Sequence, residues 1–325
     1  MKKRILVLRR GTEGLSTEPY ATYLREQLPS YDVQRAATPH EEQELIERAW
    51  IATGVDICET ALSRAEYLEM FACAFSGINH LPLEALKQHN VAVTNAGGIH
   101  APGLAEQVIG YILMFSRRLH EGLRQKQRHE WRHYQASELT GSTVTIVGLG
   151  SIGLEVTKRL QGFEVNTIGV RYTPSKGGPT DRVIGFDPID FHDALAQTDY
   201  LVLASPLTET TRGIISREEL ITLPPHATIV NIARGGLIDT DDLVWALRDG
   251  AIRAVALDVT DPEPLPADHP LWTLGNVLIT PHMGGHTPKH WERLAAILVQ
   301  NVTHLEGGGE IENLQNLVLA PETGL

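Results

Sequence analysis

Only two cysteines, Cys58 and Cys73, stand in 325 residues. That excludes a disulfide scaffold, and since each lies in an apolar run, both are expected to be buried free thiols of a reducing compartment. Positive charge is also scarce. The 28 Lys and Arg against 40 Asp and Glu leave a net charge of −12, which speaks against a nucleic-acid surface. Lysine is scarcer than arginine, a bias found in salt-adapted proteins and in GC-rich genomes alike. No apolar run approaches the roughly 20 residues of a membrane span. The start, Met1-Lys2-Lys3-Arg4-Ile5-Leu6-Val7-Leu8, is basic then apolar, but it is too short for a signal peptide, and Arg9-Arg10 follow at once. It reads as the first strand of a cytoplasmic protein. There is no internal repeat and no low-complexity tract. What is present is an ordinary globular composition, 42% hydrophobic and 21% charged, at a length that suits two domains.

Short apolar strands alternate with helical patterns. Strands are expected at residues 5–8, 55–58, 71–75 and 91–95, and helices at 20–28, 41–50, 61–70 and 83–89. Such alternation indicates a parallel sheet covered on both faces. Pro102-Gly103 open a long helix, 104–120, followed by a polar Arg/Gln-rich segment to about 138. A second series begins at Thr143, with strands at 143–147, 165–170, 200–204, 228–232, 254–259 and 277–280: six strands, enough for a Rossmann-type domain. A last helix is expected at 288–305, and Gly307-Gly308-Gly309 as a flexible turn.

The most informative motif is Gly148-Leu149-Gly150-Ser151-Ile152-Gly153, which reads G-x-G-x-x-G. An apolar strand enters it and an amphipathic helix leaves it, which is the dinucleotide-binding arrangement. Its first glycine permits the tight turn, the second lets the backbone approach a pyrophosphate, and the third lets helix and strand pack closely. The phosphates would meet the positive end of a helix. The strand after it ends in Arg171, where an Asp or Glu would bind the ribose hydroxyls of NAD; Tyr172, Thr173, Pro174, Ser175 and Lys176 follow. Arg171 and Lys176 would attract a 2′-phosphate, and Thr173 and Ser175 add hydroxyl donors. NADP(H) is therefore expected, with NAD(H) the alternative if Arg171 is merely a solvated loop residue.

Three further strand ends carry candidate chemistry: Arg234 in Asn231-Ile232-Ala233-Arg234-Gly235-Gly236, Asp261 and Glu263 after Leu257-Asp258-Val259, and His282 in Thr280-Pro281-His282-Met283-Gly284-Gly285. Carboxyl ends of parallel strands are where ligands bind in open α/β sheets. Arg can grip a carboxylate in bidentate fashion, and His with a carboxylate partner is a good acid/base near neutral pH. His129-Glu130-Trp131-Arg132-His133 fits the zinc pattern H-E-x-x-H, but a polar Arg/Gln-rich segment without a third ligand does not suit zinc, and no metal is expected. Nor do His282, His286 and His290 share one helix face, because Gly284, Gly285 and Pro288 intervene.

Over nearly its whole length the chain resembles the D-isomer-specific 2-hydroxyacid dehydrogenase family. The resemblance rests on the glycine motif, SPLTETTRGII (205–215), NIARGGLID (231–239), ALDVTDPEPLP (256–266) and PHMGG (281–285), the run DVTDPEPLP being nearest the glyoxylate/hydroxypyruvate reductase branch. It implies two Rossmann-like α/β domains: a flavodoxin-like substrate domain from residues 1–99 and 288–325, and a doubly wound NAD(P)-binding domain at 100–287. It also implies Arg234, Glu263 and His282 as the catalytic set, with Asp261 the minority choice of carboxylate. Phe75, Ser76 and Gly77 match the family's substrate loop, where the amides of Ser76 and Gly77 would bind a carboxylate. Asn79 departs from the Asp of many relatives, and Phe75 would narrow the pocket or belong to the core, which leaves substrate size open. Coenzyme contacts are implied at Gly148, Gly150, Ser151, Ile152, Gly153, Arg171, Tyr172, Thr173, Ser175, Lys176, Ser205, Pro206, Thr211, Ile232, Ala233, Asp258 and Gly284. His100 resembles a residue of the first interdomain crossing, or else is a hydrogen-bonded loop histidine.

The activity so implied is reversible reduction of a small 2-oxo acid to its D-2-hydroxy acid, by a homodimer built around the helix from Pro102, with no nucleic-acid or membrane partner. Two alternatives stand beside it. One is a formate- or phosphite-type dehydrogenase on the same fold, although the formate type resembles Gln rather than Glu263 at the histidine's partner. The other is a nucleotide-sensing, corepressor-like binding protein, which would not need the full Arg234, Glu263 and His282 set.

Overall fold

Ile5 and Val7 pack into one apolar cluster, and Leu6 and Leu8 into another, as side chains must along a strand covered on both faces. The structure, a computed structural model, describes residues 2–10 and 16–321. Its contacts divide the chain into two units, Met1–Ile99 with Thr287–Leu325, and His100–His286.

The chain begins β1 (Arg4–Val7), α1 (Glu18–Gln27), β2 (Asp32–Arg35), α2 (Pro39–Ile46), β3 (Ala49–Gly54), α3 (Glu59–Leu62), β4 (Met70–Cys73), α4 (Leu83–Gln88) and β5 (Ala92–Thr94). The second unit holds α5 (Ala101–Ser116), α6 (Leu119–Gln127), β6 (Thr143–Val147), α7 (Ser151–Leu160), β7 (Asn166–Val170), β8 (Arg182–Ile184), α8 (Pro188–Leu195), β9 (Tyr200–Leu203), α9 (Arg217–Thr222), β10 (Thr228–Asn231), α10 (Thr240–Asp249), β11 (Ala254–Leu257) and β12 (Val277–Ile279). The chain then returns to the first unit with α11 (His290–Glu306) and β13 (Leu317–Leu319).

The first sheet runs β13-β5-β4-β3-β1-β2. Five strands are parallel in the flavodoxin-like order, and β13 closes one edge antiparallel to β5. On one face Tyr20 and Leu24 of α1 pack with Leu294, Leu298 and Val302 of α11. On the other, Ile46, Leu62 and Leu86 cover Leu6, Ala52 and Phe71.

The second sheet runs β12-β11-β10-β9-β6-β7-β8, all parallel. Its order reverses between β6 and β9, which makes that crevice the topological switch point. Leu104, Val108 and Ile112 of α5 with Val156 and Leu160 of α7 cover one face; Phe191, Leu220, Leu243 and Leu247 cover the other. Both units are thus Rossmann-like α/β layers. No helix among the described residues is long and apolar enough to cross a membrane.

Several local expectations are corrected. Residues 55–58 lie beyond a strand, not in one: the strand is β3, and α2 stops at Ile46, so Trp50 is a strand residue. The helix expected at 61–70 is the single turn α3, and the one expected at 104–120 ends at Ser116 and restarts as α6 after Arg118, whose φ is +51°. The second sheet has seven strands, because β8 joins its edge. The glycines expected as a turn at 307–309 do form one at Gly307 and Gly308, and the chain then continues into β13. Cys73 is buried but Cys58 is exposed, at the N-cap of α3; both are free thiols. His129 to His133 lie past the end of α6, not on a helix, and Glu130 is paired with Arg132 at 2.5 Å. Among the described residues no cluster of His, Cys, Asp and Glu could hold a metal.

Candidate active site

In the second unit the glycine loop sits at the switch point. Gly148 has φ of +105°, and a Cβ there would lie 2.7 Å from the carbonyl carbon of Ala204 and from the amide of Ser205. Only glycine allows that approach. A Cβ on Gly153 would lie 2.0 Å from the Gly148 carbonyl oxygen, so the third glycine sets the packing of α7 on β6. A Cβ on Gly150 meets nothing within 4 Å, and Gly150 caps α7 without a side-chain bond. The helix N-terminus therefore opens on space that a phosphate would suit. Ser151 is exposed there and Ile152 half-buried. Beside the loop, Ser205 is 5% exposed and its hydroxyl has no partner. An orphaned buried hydroxyl next to an open glycine turn fits a polar ligand such as a dinucleotide.

The segment after β7 is solvated. Tyr172 is 86% exposed, and Thr173, Ser175 and Lys176 are exposed too. Arg171 is half-buried and donates from Nη1 to the Gly177 carbonyl at 2.5 Å. Its guanidinium thus braces the loop that carries the other four. Pro206 and Thr211 are tied together, since Thr211 Oγ1 donates to the Pro206 carbonyl at 2.7 Å. Ile232 and Ala233 are buried.

Strands β10, β11 and β12 are neighbours, parallel and in register at Asn231, Leu257 and Ile279. Residues just past their ends therefore emerge along one edge of the sheet. Arg234 follows β10; it is exposed and donates from Nη1 to the Ala233 carbonyl at 2.6 Å. Glu263 follows β11, in a segment whose Asp261-Pro262 and Glu263-Pro264 bonds are both cis. His282 follows β12. Its Nδ1 donates to Glu263 Oε1 at 2.6 Å, with side chains 49% and 39% exposed. The carboxylate on this ring is that of Glu263; Asp261 instead lends its carbonyl to Thr240 Oγ1 at 2.9 Å. The bond fixes the tautomer with its hydrogen on Nδ1 and leaves Nε2 for proton exchange.

Asp258, 1% exposed, spends its carboxylate on protein donors: Met283 N at 3.1 Å, Gly284 N at 2.9 Å, Gln107 Nε2 at 2.9 Å, and the Thr280 hydroxyl. Sequence reasoning missed Gln107, Tyr111 and Thr280; the available signal was two polar groups one turn apart on an otherwise apolar helix. His100 Nδ1 meets the Gly285 carbonyl at 3.0 Å.

In the first unit, Ser76 and Gly77 are exposed past the end of β4, and a Cβ on Gly77 would meet nothing within 4 Å. The loop is held by Asn95 Nδ2, which donates to the Ser76 carbonyl at 2.6 Å, and by Ser76 Oγ, which donates to the Ala96 carbonyl at 3.3 Å. Phe75 is half-buried: it packs on the core of this unit and meets the His80 ring edge-on at 5.6 Å. Asn79 is exposed.

The family model described as "D-isomer specific 2-hydroxyacid dehydrogenase, NAD binding domain" matches residues 109–284. The D-3-phosphoglycerate dehydrogenase of Methanocaldococcus jannaschii is 33% identical over 320 residues, 96% of this chain and 60% of that one. Human glyoxylate reductase/hydroxypyruvate reductase is 32% identical over 72% of this chain and 73% of its own. A solved D-isomer specific 2-hydroxyacid dehydrogenase family protein of Aeromonas salmonicida superposes with a TM-score of 0.79 at 28% identity, covering 98% of this chain and 99% of that one. The chain spans 60% of the length of the archaeal enzyme, and 49% of two other phosphoglycerate dehydrogenases it matches. On the match to more than half of its residues, this chain belongs to the D-isomer-specific 2-hydroxyacid dehydrogenase family.

Proposed function

We propose that the protein is an NAD(P)-dependent oxidoreductase that interconverts 2-oxo acids and D-2-hydroxy acids, with NADP(H) preferred. The observation that carries this reading is the 2.6 Å bond between His282 and Glu263, at a strand end next but one to that of Arg234. A nicotinamide coenzyme supplies the hydride chemistry when bound. The chain's own residues do the rest. Gly150 and the N-terminus of α7 hold the pyrophosphate, and Ser205 offers its free hydroxyl. Arg171 and Lys176 attract the 2′-phosphate that an acid would repel. Arg234 grips the substrate carboxylate, and in the first unit the exposed Ser76-Gly77 turn offers amide donors of the kind that a carboxylate takes. His282 Nε2 gives a proton to the substrate oxygen, or takes one in the reverse direction. Glu263 holds the ring through Nδ1 and keeps it in one orientation. We also assign a homodimer, because Leu119, Leu123, Trp131 and Tyr134 beyond α5 expose large apolar groups. Light scattering should read twice the 35.8 kDa chain mass; a monomer at working concentration would refute that part.

The test is oxidation of NADPH and NADH with a panel of 2-oxo acids, including glyoxylate, hydroxypyruvate and a phosphorylated 3-carbon oxo acid. Turnover with at least one of them, faster with NADPH, is expected. Coenzyme binding with no turnover across the panel would instead favour a sensing role.

A further inference from the structure

Three successive amides around His282 end on one residue. The N–H of His282 donates to the Asp258 carbonyl oxygen at 2.8 Å, that of Met283 to Oδ1 at 3.1 Å, and that of Gly284 to Oδ2 at 2.9 Å. Together they hold His282 at φ of +50°, a left-handed conformation that an L-residue adopts only when its surroundings hold it there. The placement of the ring therefore depends on the placement of Asp258. A buried carboxylate keeps its position only while donors surround it.

The remaining donors trace back to one face of α5. Gln107 Nε2 donates to Asp258 Oδ1 at 2.9 Å and to Thr280 Oγ1 at 3.0 Å. Short bonds also join Gln107 to Tyr111, Tyr111 to Thr280, and Thr280 to Asp258. Counting protons orders the ring. The carboxylate has none to give, so the Thr280 hydroxyl donates to it. Tyr111 then donates to Thr280, and Gln107 shares its two amide hydrogens among its three partners. The chain of hydroxyl donors thus ends on Asp258. Burial, opposed by its bonds to Thr280 and Gln107, raises the Tyr111 phenol above its usual range, so it stays a donor. The same helix also fills the space at the loop's end: a Cβ on Gly284 would lie 2.4 Å from Leu104 Cδ2 and 2.8 Å from Gln107 Oε1.

We infer that Gln107 and Tyr111 are positioning residues, which hold the His282 loop in its working geometry through Thr280 and Asp258. Their effect on turnover rests on the reading of His282 as the acid/base, while the clamp itself does not. The test therefore uses two readouts on the full-length protein: amide hydrogen exchange of Met283 and Gly284, and kcat against coenzyme KM. In Thr280→Val and Tyr111→Phe, exchange at both amides should accelerate, and kcat should fall about tenfold with coenzyme KM within about twofold. Thr280→Ser, which keeps the hydroxyl, should restore both. Unchanged exchange in Thr280→Val would overturn the clamp. Faster exchange with unchanged kcat, in an enzyme that His282→Ala inactivates, would overturn the positioning role. If His282→Ala remains active, the acid/base reading has failed instead, and exchange still decides the clamp.

Discussion

A Cβ on Gly235 would lie 2.0 Å from the carbonyl carbon of Thr260. The loop carrying Arg234 and the loop leading to Glu263 thus touch backbone to backbone, and only a residue without a side chain allows it. Gly235→Ala must push them apart, at about 1–3 kcal/mol of stability and with turnover lowered about 100-fold. Gly162→Ala, where an added methyl meets nothing within 4 Å, should change neither. Thermal melts and steady-state kinetics of the two variants make the comparison. A fully active Gly235→Ala would show that the contact does not set the spacing of Arg234 and Glu263.

Coenzyme choice should separate Lys176 from Arg171. The Lys176 side chain is exposed and makes no hydrogen bond or ion pair among the described residues, whereas Arg171 also braces its loop through Gly177. Lys176→Ala should lower kcat/KM for NADPH about tenfold, the worth of one charge-assisted bond, and leave NADH unchanged. Arg171→Ala should weaken both coenzymes, NADPH more. Equal loss with both coenzymes in Lys176→Ala would remove it from the 2′-phosphate site.

Glu219 gives a pH-dependent stability. Burial works against its carboxylate, but bonds from the Ser216 hydroxyl at 2.7 Å and the Ser216 amide at 2.9 Å outweigh it, and the group sits below the ordinary carboxylate value of 4.5. A depressed folded-state value stabilises the fold above the unfolded value and ceases to do so as pH falls through the folded one. Glu219→Gln should therefore cost about 1 kcal/mol at pH 7, on the scale of lost cap bonds rather than of the shift. The gap to the parent should close below about pH 4. Denaturant melts at both pH values check this; a gap independent of pH would assign the effect to packing.

The second sheet was legible because β6, β9, β10 and β11 are apolar runs buried on both faces, and their spacing leaves little room for another reading. The edges were not. In β2 only Val33 is buried, and β8 begins with an exposed Arg182, so neither shows a run. Strand β3 was hidden because Trp50 continues the apolar period of α2, and β3 is separated from α2 by only Glu47 and Arg48. At the site, motif and strand end pointed to His282 and Glu263, since both lie in the loop sequences themselves. The support from Gln107 and Tyr111 was invisible, because it depends on how α5 packs against a loop more than 150 residues away.

The central claim is that His282, oriented by Glu263, moves the proton while other residues bind the coenzyme. The most direct measurement is turnover of His282→Ala and Glu263→Gln beside their affinity for NADPH, read by fluorescence titration. Turnover should fall by at least about 100-fold in His282→Ala and substantially in Glu263→Gln, with NADPH affinity preserved in both. Turnover near the parent level in His282→Ala would contradict the account.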